Sequence, residues 1–211
     1  MADTLGAGWA LDWIKKTAAV VNAQREELTD LDRAIGDGDH GANLDRGFQA
    51  VLVKLDGATP ATAGEVLKTV ATTLISTVGG ASGALYGTAF LRASKLGDSD
   101  LDAAGVVALL QAGVDGIVQR GKASVGEKTM VDAWTPALAA GNEAVAAGKS
   151  PAEVLDAMAV AAQEGAVATE PLVATKGRAS YLGERSAGHR DPGAQSTAYV
   201  LRAAADAAAA A

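Results

Sequence analysis

Apolar residues recur along most of the chain at the three- and four-residue spacing of an amphipathic helix, and no sustained stretch alternates apolar and polar positions as a half-buried strand would. Two helix starts carry capping signals: Thr59 followed by Pro60, and Ser150 followed by Pro151 and Glu153. Short glycine-containing connections join most of the helical segments, so neighbours in sequence should pack antiparallel in an all-α bundle. We predict eight helices, which cover residues 9–28, 43–55, 59–78, 82–96, 101–120, 128–147, 150–162 and 194–208.

The composition narrows the classes of protein and site that this chain can form. Its 211 residues, 49% of them hydrophobic, suit a single domain that spans residues 1–211. The chain has no Cys and only two His, which excludes a disulfide framework, a thiolate zinc site and a histidine-rich metal centre. A net charge of −7 disfavours nucleic acid as a partner. The lack of a signal-peptide pattern and of a long apolar run predicts a cytoplasmic protein without a membrane span.

The segment DRAIGDGDHGAN at residues 32–43 places three carboxylates, those of Asp32, Asp37 and Asp39, close together. Like charges at this spacing repel one another, so the cluster is favourable mainly when a cation binds it, and oxygen ligands suit Mg²⁺. A calcium-binding EF-hand is excluded, because the twelfth position counted from Asp37 is Phe48 rather than a bidentate Glu. The alternative is that these aspartates only cap a helix and solvate a turn.

A glycine-rich turn, GGASG at residues 79–83, opens the helical pattern that follows it. Free N–H groups and the positive end of the helix dipole make such a start favourable for phosphate, although an ordinary tight turn has the same composition. Two near-matches to a phosphate-binding P-loop, at residues 116–123 and 121–129, lack the full motif and the preceding strand. The P-loop is therefore rejected, whereas Gly121 and Met130 remain candidates to approach a nucleotide in another geometry.

The longest segment without periodicity, residues 175–193, combines glycine with charge, and long ordered loops in compact domains are usually functional. Its cations either are solvated surface charges or form an anion pocket, and Arg suits a phosphoryl group because its forked donors match the oxygens. His40 likewise has two interpretations, a hydrogen-bonded loop histidine or a contact to phosphate or to metal-bound water. The cations in question are Lys176, Arg178, Arg185 and Arg190.

Four motifs follow one another along almost the entire chain: AIGDGDHGAN, GGASGALYG, GEKTMVDAW and GRASYLGERSxGHxDPGA. In their order and spacing they resemble the nucleotide-binding L subunits of dihydroxyacetone kinases, the DhaL family. The resemblance implies an antiparallel eight-helix barrel, and the number of helices predicted from the periodicity agrees with it independently. It also implies that loops at one end of the barrel hold an adenine nucleotide, ADP or ATP, and two Mg²⁺ ions.

The resemblance further implies roles for individual residues. The carboxylates of Asp32, Asp37 and Asp39 would be the Mg²⁺ ligands. Arg178 would be the catalytic cation, which stabilises the transferring group during an in-line phosphoryl transfer assisted by the two metal ions. The residues implied to contact the nucleotide are His40, Gly41, Ala42, Asn43, Ala81, Ser82, Gly121, Thr129, Met130, Arg178, Asp191, Pro192 and Gly193.

The family that these motifs resemble works in two modes. In one, the domain is fused behind a substrate-binding domain and ATP is the phosphate donor. In the other, a separate subunit keeps its nucleotide as a coenzyme, accepts phosphate from a phosphohistidine of a DhaM-like protein, and passes it to dihydroxyacetone on a DhaK-like subunit. A free-standing chain of 211 residues favours the second mode.

Two other functions stay open at the level of sequence. One is an ATP-dependent kinase half that acts on another small hydroxylated substrate. The other is a partner of a transcription regulator, to which the nucleotide state would signal. The sequence alone does not decide between ADP and ATP, the identity of the phosphate donor, or whether the chain forms a homodimer.

Overall fold

The computed structural model describes residues 3–211 and is all-α over that range, as predicted. Leu5 and Leu101 form an isolated antiparallel bridge. None of the described helices combines the length and the apolar character needed to cross a bilayer. The helices are α1 (Ala7–Ala23), α2 (Arg25–Ile35), α3 (His40–Leu55), α4 (Ala63–Thr77), α5 (Gly80–Ala93), α6 (Ala103–Gly121), α7 (Val131–Ala146), α8 (Pro151–Ala168) and α9 (Pro192–Ala208), with 3₁₀ segments at Ser94–Leu96 and Arg178–Ser186.

Eight of the helices close into a ring. α1 packs against α9, and the contacts continue through α8, α7, α6, α5 and α4 to α3, which returns to α1. The ninth helix, α2, packs mainly on the outside of this ring against α3 and α9. α3, α5, α7 and α9 begin at one end of the ring, and α1, α4, α6 and α8 begin at the other. The predicted antiparallel eight-helix bundle is confirmed.

Aromatic residues of α1 tie the first helix to the last. Trp9 and Trp13 are buried and stack with their ring centroids 5.1 Å apart. Their indole Nε1–H groups donate to the carbonyls of Ala204 and Val200 on α9, at 3.0 and 2.9 Å. Such long-range bonds require the two backbones to lie close together, which the small alanine side chains of α9 permit. The ring is therefore closed by both packing and hydrogen bonding.

The predicted continuous helix over residues 9–28 is wrong. α1 ends at Ala23 and α2 begins at Arg25, because Gln24 has φ −101° and ψ 16°, outside the helical region. The apolar pattern conceals this break, since Val21 and Leu28 are seven residues apart and keep the same phase on a helical wheel. The break lets α2 leave the ring and deliver Asp32 and Ile35 to one end of the molecule.

Two other predicted helix boundaries move by four residues or more, and the rest move by three or fewer. The cap predicted at Thr59 and Pro60 is wrong, because α4 begins at Ala63 and the hydroxyl of Thr62 accepts the backbone N–H of Glu65 at 3.2 Å. Both threonines precede the same apolar pattern, so the sequence offers two possible starts. The capping box at Ser150 is confirmed, although its helix extends to Ala168 rather than to residue 162.

Candidate functional site

A pocket of about 200 Å³ lies at the end of the ring where α3, α5, α7 and α9 begin. It is lined by residues from these four helix starts, from the end of α2 and from the segment before and within Arg178–Ser186. Each helix N-terminus carries unsatisfied N–H groups and about half a positive charge. Because alternate helices of an antiparallel ring begin at the same end, the fold itself produces a pocket that favours anions.

Of the sixteen site residues that the resemblance implies, the structure brings twelve together at this pocket and leaves four outside it. Gly41 faces α2, where an added Cβ would lie 2.1 Å from the carbonyl oxygen of Arg25. Gly121 ends α6 and lies behind Leu85, a residue of the pocket wall. The other two are Ala42 and Asn43. The twelve that line the pocket are Asp32, Asp37, Asp39, His40, Ala81, Ser82, Thr129, Met130, Arg178, Asp191, Pro192 and Gly193.

The acidic turn between α2 and α3 forms the most charged wall of the pocket. Asp32, Asp37 and Asp39 each offer an oxygen, and these atoms all lie within 4.8 Å of one another. The Oδ2 atom of Asp32 accepts the backbone N–H groups of Asp39 and His40, at 2.8 and 3.0 Å. Asp32, in the last turn of α2, thus bonds the first N–H groups of α3 and fixes the turn between the two helices.

These three carboxylates fit a hard divalent cation. They provide oxygen donors only, and Asp37 and Asp39 are exposed and able to adjust their positions. The nearest compensating charge is Arg178, whose Nη2 lies 3.1 Å from Oδ2 of Asp37. One exposed guanidinium leaves most of the acidic charge unbalanced, so a bound Mg²⁺ would relieve repulsion at this turn.

Two glycines make the acidic turn possible. Gly38 has φ +72°, a left-handed conformation that side chains with a Cβ rarely adopt. Gly36 packs directly on the carboxylate of Asp32, so an added Cβ would lie 2.1 Å from Oδ1. The glycines of this motif therefore position the carboxylate as well as bending the chain.

Substituting Gly36 with alanine is expected to weaken Mg²⁺ binding about tenfold or more, because the Asp32 carboxylate must rotate away from the new methyl group. Titration calorimetry with Mg²⁺, in the presence of ADP, measures the effect. Gly8→Ala in α1 is a suitable control, since no atom of the described residues lies within 4 Å of the added Cβ. Wild-type Mg²⁺ affinity in Gly36→Ala would argue against Asp32 as a ligand.

His40, the first residue of α3, is buried at the base of this turn. Its Nε2 lies 2.9 Å from the hydroxyl of Ser196 on α9. Burial lowers the pKa of His40 to about 4, although the charge of Asp32 opposes this shift. The imidazole is therefore neutral at physiological pH and presents one donor and one acceptor. Asn43, one turn later, does not line the pocket, and its Oδ1 accepts from Arg46 at 2.7 Å.

The glycine-rich turn opens α5 directly onto the pocket. Gly79 is the N-cap and makes no side-chain capping bond, and Gly80 has φ +70°. Gly80, Ala81 and Ser82 line the pocket, and Leu85 follows one turn further along. The first N–H groups of α5 are thus left for an anion, as the sequence predicts for this turn.

A loop between α6 and α7 supplies Thr129 and Met130. The carboxylate of Asp132 accepts the backbone N–H groups of Gly126 and Thr129, which folds the loop over the start of α7. Lys128, at φ +63°, is buried, and its Nζ donates to the carbonyls of Thr169, Glu170 and Leu172 at 2.8, 3.2 and 3.0 Å. The ammonium group therefore joins this loop to the segment that follows α8.

The cations of the 175–193 segment divide into two groups. Lys176 and Arg178 line the pocket, and Arg178 remains 70% exposed at its rim. Arg190 points elsewhere and pairs with Glu170 at 2.7 Å, and Arg185 does not line the pocket either. Two of the four cations considered for an anion pocket, Lys176 and Arg178, therefore lie at it.

The start of α9 completes the pocket. The carboxylate of Asp191 caps the helix by accepting the N–H of Ala194 at 2.7 Å. Burial raises the pKa of Asp191 to about 7, and the bond from Ala194 only partly offsets this effect. An added Cβ on Gly193 would lie 3.5 Å from Cβ of Met130, so the starts of α7 and α9 are in close approach.

Sequence reasoning missed several residues of the pocket. Gly177 brings its backbone to it, but nothing in the sequence separates this residue from other turn glycines. The remaining residues that were not predicted are Ile35, Leu85, Lys128 and Ala179. Of these, Ile35 and Leu85 belong to ordinary apolar helix patterns, which conceal any contact with a ligand.

Comparison with known proteins places this arrangement in a family context. The family model described as DAK2 domain matches residues 34–206. Three bacterial proteins are similar over nearly their entire lengths. The chain is 45% identical over 201 residues to the PEP-dependent dihydroxyacetone kinase 1, ADP-binding subunit DhaL, of Listeria innocua, with 95% of this chain and 96% of that protein covered. It is 40% identical to the PEP-dependent counterpart of Escherichia coli (91% and 92% covered) and 46% identical to the PTS-dependent counterpart of Lactococcus lactis (90% and 92%).

Solved structures show the same fold in a larger chain. The dihydroxyacetone kinase of C. freundii superposes with a TM-score of 0.70 at 26% identity, over 98% of this chain and 35% of that one. A second structure of that kinase, in complex with AMP-PNP and Mg²⁺, gives the same TM-score at 27% identity. The all-helical ring described above is therefore shared with a kinase that binds a nucleotide and Mg²⁺.

Proposed function

This chain belongs to the DAK2 domain family, and from that premise we propose that it is the ADP-binding, phosphoryl-transferring subunit of a dihydroxyacetone kinase. In this proposal a bound adenine nucleotide accepts phosphate from a phosphohistidine donor protein of the DhaM type. It then passes the phosphate to dihydroxyacetone on a subunit of the DhaK type. The observation that carries the proposal is the pocket where three clustered carboxylates face four helix N-termini.

The residues that would hold Mg²⁺ are Asp32, Asp37 and Asp39. We include two ions in the proposal, because three carboxylates and the phosphates of a nucleotide carry more negative charge than one divalent cation neutralises. When bound, the ions would neutralise charge on the phosphates and on the group in transfer. The chain's own part is to fix the ligand positions, which it does through the bonds from Asp39 and His40 to Asp32.

The other walls of the pocket suit the remaining parts of a nucleotide. Ser82 and the uncapped start of α5 offer donors to phosphate. Ile35, Leu85 and Met130 supply apolar surface for an adenine ring. Arg178 is the exposed cation at the rim. Within residues 3–211 its one ion-pair partner is Asp37, so it is free to exchange that carboxylate for the transferring phosphoryl group.

The choice of the phosphohistidine-driven mode rests on the relatives. The three bacterial proteins that match at 40–46% identity are named as PEP- or PTS-dependent kinases, and the chain covers 92–96% of their lengths. The triokinase/FMN cyclase of Bos taurus matches at 35% identity, and the chain covers only 33% of that protein. These names, identities and coverages favour a separate subunit that depends on a phosphorylated donor protein over an ATP-dependent kinase half.

The nucleotide content of the purified protein tests the proposal. After exhaustive dialysis in Mg²⁺, the protein is denatured and the released adenine nucleotide is quantified by chromatography. We expect about one ADP per chain, and its loss after the same dialysis in EDTA. Absence of retained nucleotide, together with ATP turnover in a mixture of this chain and a DhaK-type subunit alone, would instead support the ATP-dependent mode.

A further inference from the structure

A line of buried polar groups leads from the pocket into the interior of the ring. His40 Nε2 lies 2.9 Å from the hydroxyl of Ser196, which lies 2.7 Å from the phenol of Tyr86. The phenol also lies 3.3 Å from the hydroxyl of Thr197. All four side chains are buried, and they join α3, α9 and α5. Buried polar groups are expensive unless they are hydrogen-bonded, so the direction of each bond in this line can be worked out.

The direction is set from the interior outwards. Thr197 donates its one proton to the carbonyl of Gly193 at 2.9 Å, so it has none to donate to Tyr86. The phenol of Tyr86 keeps its proton, since burial raises its pKa to about 12. Of its two possible acceptors, Ser196 at 2.7 Å lies within the ordinary range of an O–H···O bond and Thr197 at 3.3 Å lies beyond it, so the proton goes to Ser196. Ser196 therefore accepts from Tyr86 and has a single proton to donate.

Two acceptors compete for the proton of Ser196. One is the carbonyl of Gly193 at 3.1 Å, which already receives the hydroxyl of Thr197. The other is His40 Nε2 at 2.9 Å, for which Ser196 is the one hydrogen-bond partner within residues 3–211. The ring nitrogen is the nearer of the two acceptors, and the carbonyl of Gly193 is already bonded to Thr197, so the proton of Ser196 goes to His40.

We propose that Ser196 and Tyr86 are positioning residues that hold His40 in the tautomer with its proton on Nδ1, so that the ring presents an N–H donor to the phosphates in the pocket. His40 lines the pocket, and its Nδ1 makes no hydrogen bond within the described part of the chain. The opposite tautomer would direct a lone pair at the phosphate oxygens and repel them. The assignment of phosphates to this end of the pocket rests on the proposed function.

The tautomer is measured directly by ¹H–¹⁵N correlation of the imidazole rings in ¹⁵N-labelled protein, with EDTA and without nucleotide. The sequence contains two histidines, so a His189→Gln variant identifies the signals of His40. We expect His40 to show a protonated Nδ1 and an unprotonated Nε2, and Ser196→Ala to shift the population towards the Nε2-protonated form. A wild-type protein with protonated Nε2, or a Ser196→Ala protein with an unchanged ring, would overturn the inference.

A matched variant separates this role from simple packing. Thr197→Val removes a neighbouring buried hydroxyl that does not touch His40, so the His40 signals should stay as in the wild type. If Ser196→Ala does not fold, the wild-type measurement still decides the tautomer, and Tyr86→Phe tests the contribution of the second hydroxyl.

Nucleotide binding gives the functional half of the test. Ser196→Ala should weaken ADP binding about tenfold through loss of an oriented bond to a charged phosphate, with little change for Thr197→Val. A changed tautomer with unchanged ADP affinity would overturn the contact between Nδ1 and the phosphates. A wild-type protein that has the expected tautomer but binds no ADP would contradict the proposed function and leave the tautomer assignment standing.

Discussion

Replacing Asp37 with alanine should abolish the retention of adenine nucleotide in Mg²⁺ and reduce phosphoryl transfer about 100-fold or more, while the fold survives. Removal of one of the three carboxylates proposed as ligands would weaken the hold on the cation, which would supply several kcal/mol of charge stabilisation when bound. The stability of the metal-free protein should change little. The pair between Asp37 and Arg178 is exposed, and exposed pairs contribute about 0–1 kcal/mol.

Nucleotide content after dialysis and the melting temperature in EDTA together measure this result. Asp30→Ala is the matched control, because Asp30 lies on α2 outside the pocket, is exposed and pairs with Arg33. It removes the same charge without touching the cluster and should retain nucleotide as the wild type does. Full nucleotide content in Asp37→Ala would exclude this carboxylate from metal binding, and equal losses in both variants would attribute the effect to net charge.

The acidic turn was predictable because its chemistry is local. Asp32, Asp37 and Asp39 are close in sequence, and glycines between them leave few ways for the chain to turn. The structure brings their oxygens together as the spacing predicts. The glycine-rich start of α5 was predictable for the same reason, since a helix N-terminus depends on adjacent residues alone.

The pocket as a whole was not predictable from single elements. Ser82, Met130 and Asp191 lie far apart in sequence and meet because alternate helices of the closed ring begin at the same end. The periodicity gives the helices and their antiparallel order, but the closure of the ring depends on contacts between α1 and α9. The resemblance to a family supplied this long-range information, whereas the pattern of this chain alone did not.

Local patterns also missed the places where tertiary contacts decide the conformation. Gln24 breaks a helix without Gly or Pro. The phase of the apolar positions continues from α1 into α2, so the sequence pattern does not reveal this break. Asn43 has the residue type of a phosphate ligand, but it lies one turn into α3 and does not line the pocket. Lys128 looks like any surface lysine in sequence, and only the fold reveals three carbonyls around its ammonium group.

Lys128→Met is expected to lower the free energy of unfolding of the nucleotide-free protein by about 3 kcal/mol. Methionine keeps the length of the aliphatic chain, but the carbonyls of Thr169, Glu170 and Leu172 lose a common donor in a buried position. For a chain of this length the change corresponds to a fall of about 6–12 °C in melting temperature. Urea unfolding and thermal melting in EDTA measure both quantities.

The control for this prediction is Lys122→Met. Lys122 has φ +50°, close to the +63° of Lys128, so both substitutions place the same side chain in a left-handed backbone. Lys122 is exposed, however, and its loss should change the stability by no more than about 0.5 kcal/mol. Equal stability of the two variants would show that the buried ammonium contributes nothing. A large difference in stability between the two variants would show that Lys128 joins the loop of Thr129 and Met130 to the segment after α8. This contact holds the two residues at the pocket that they line.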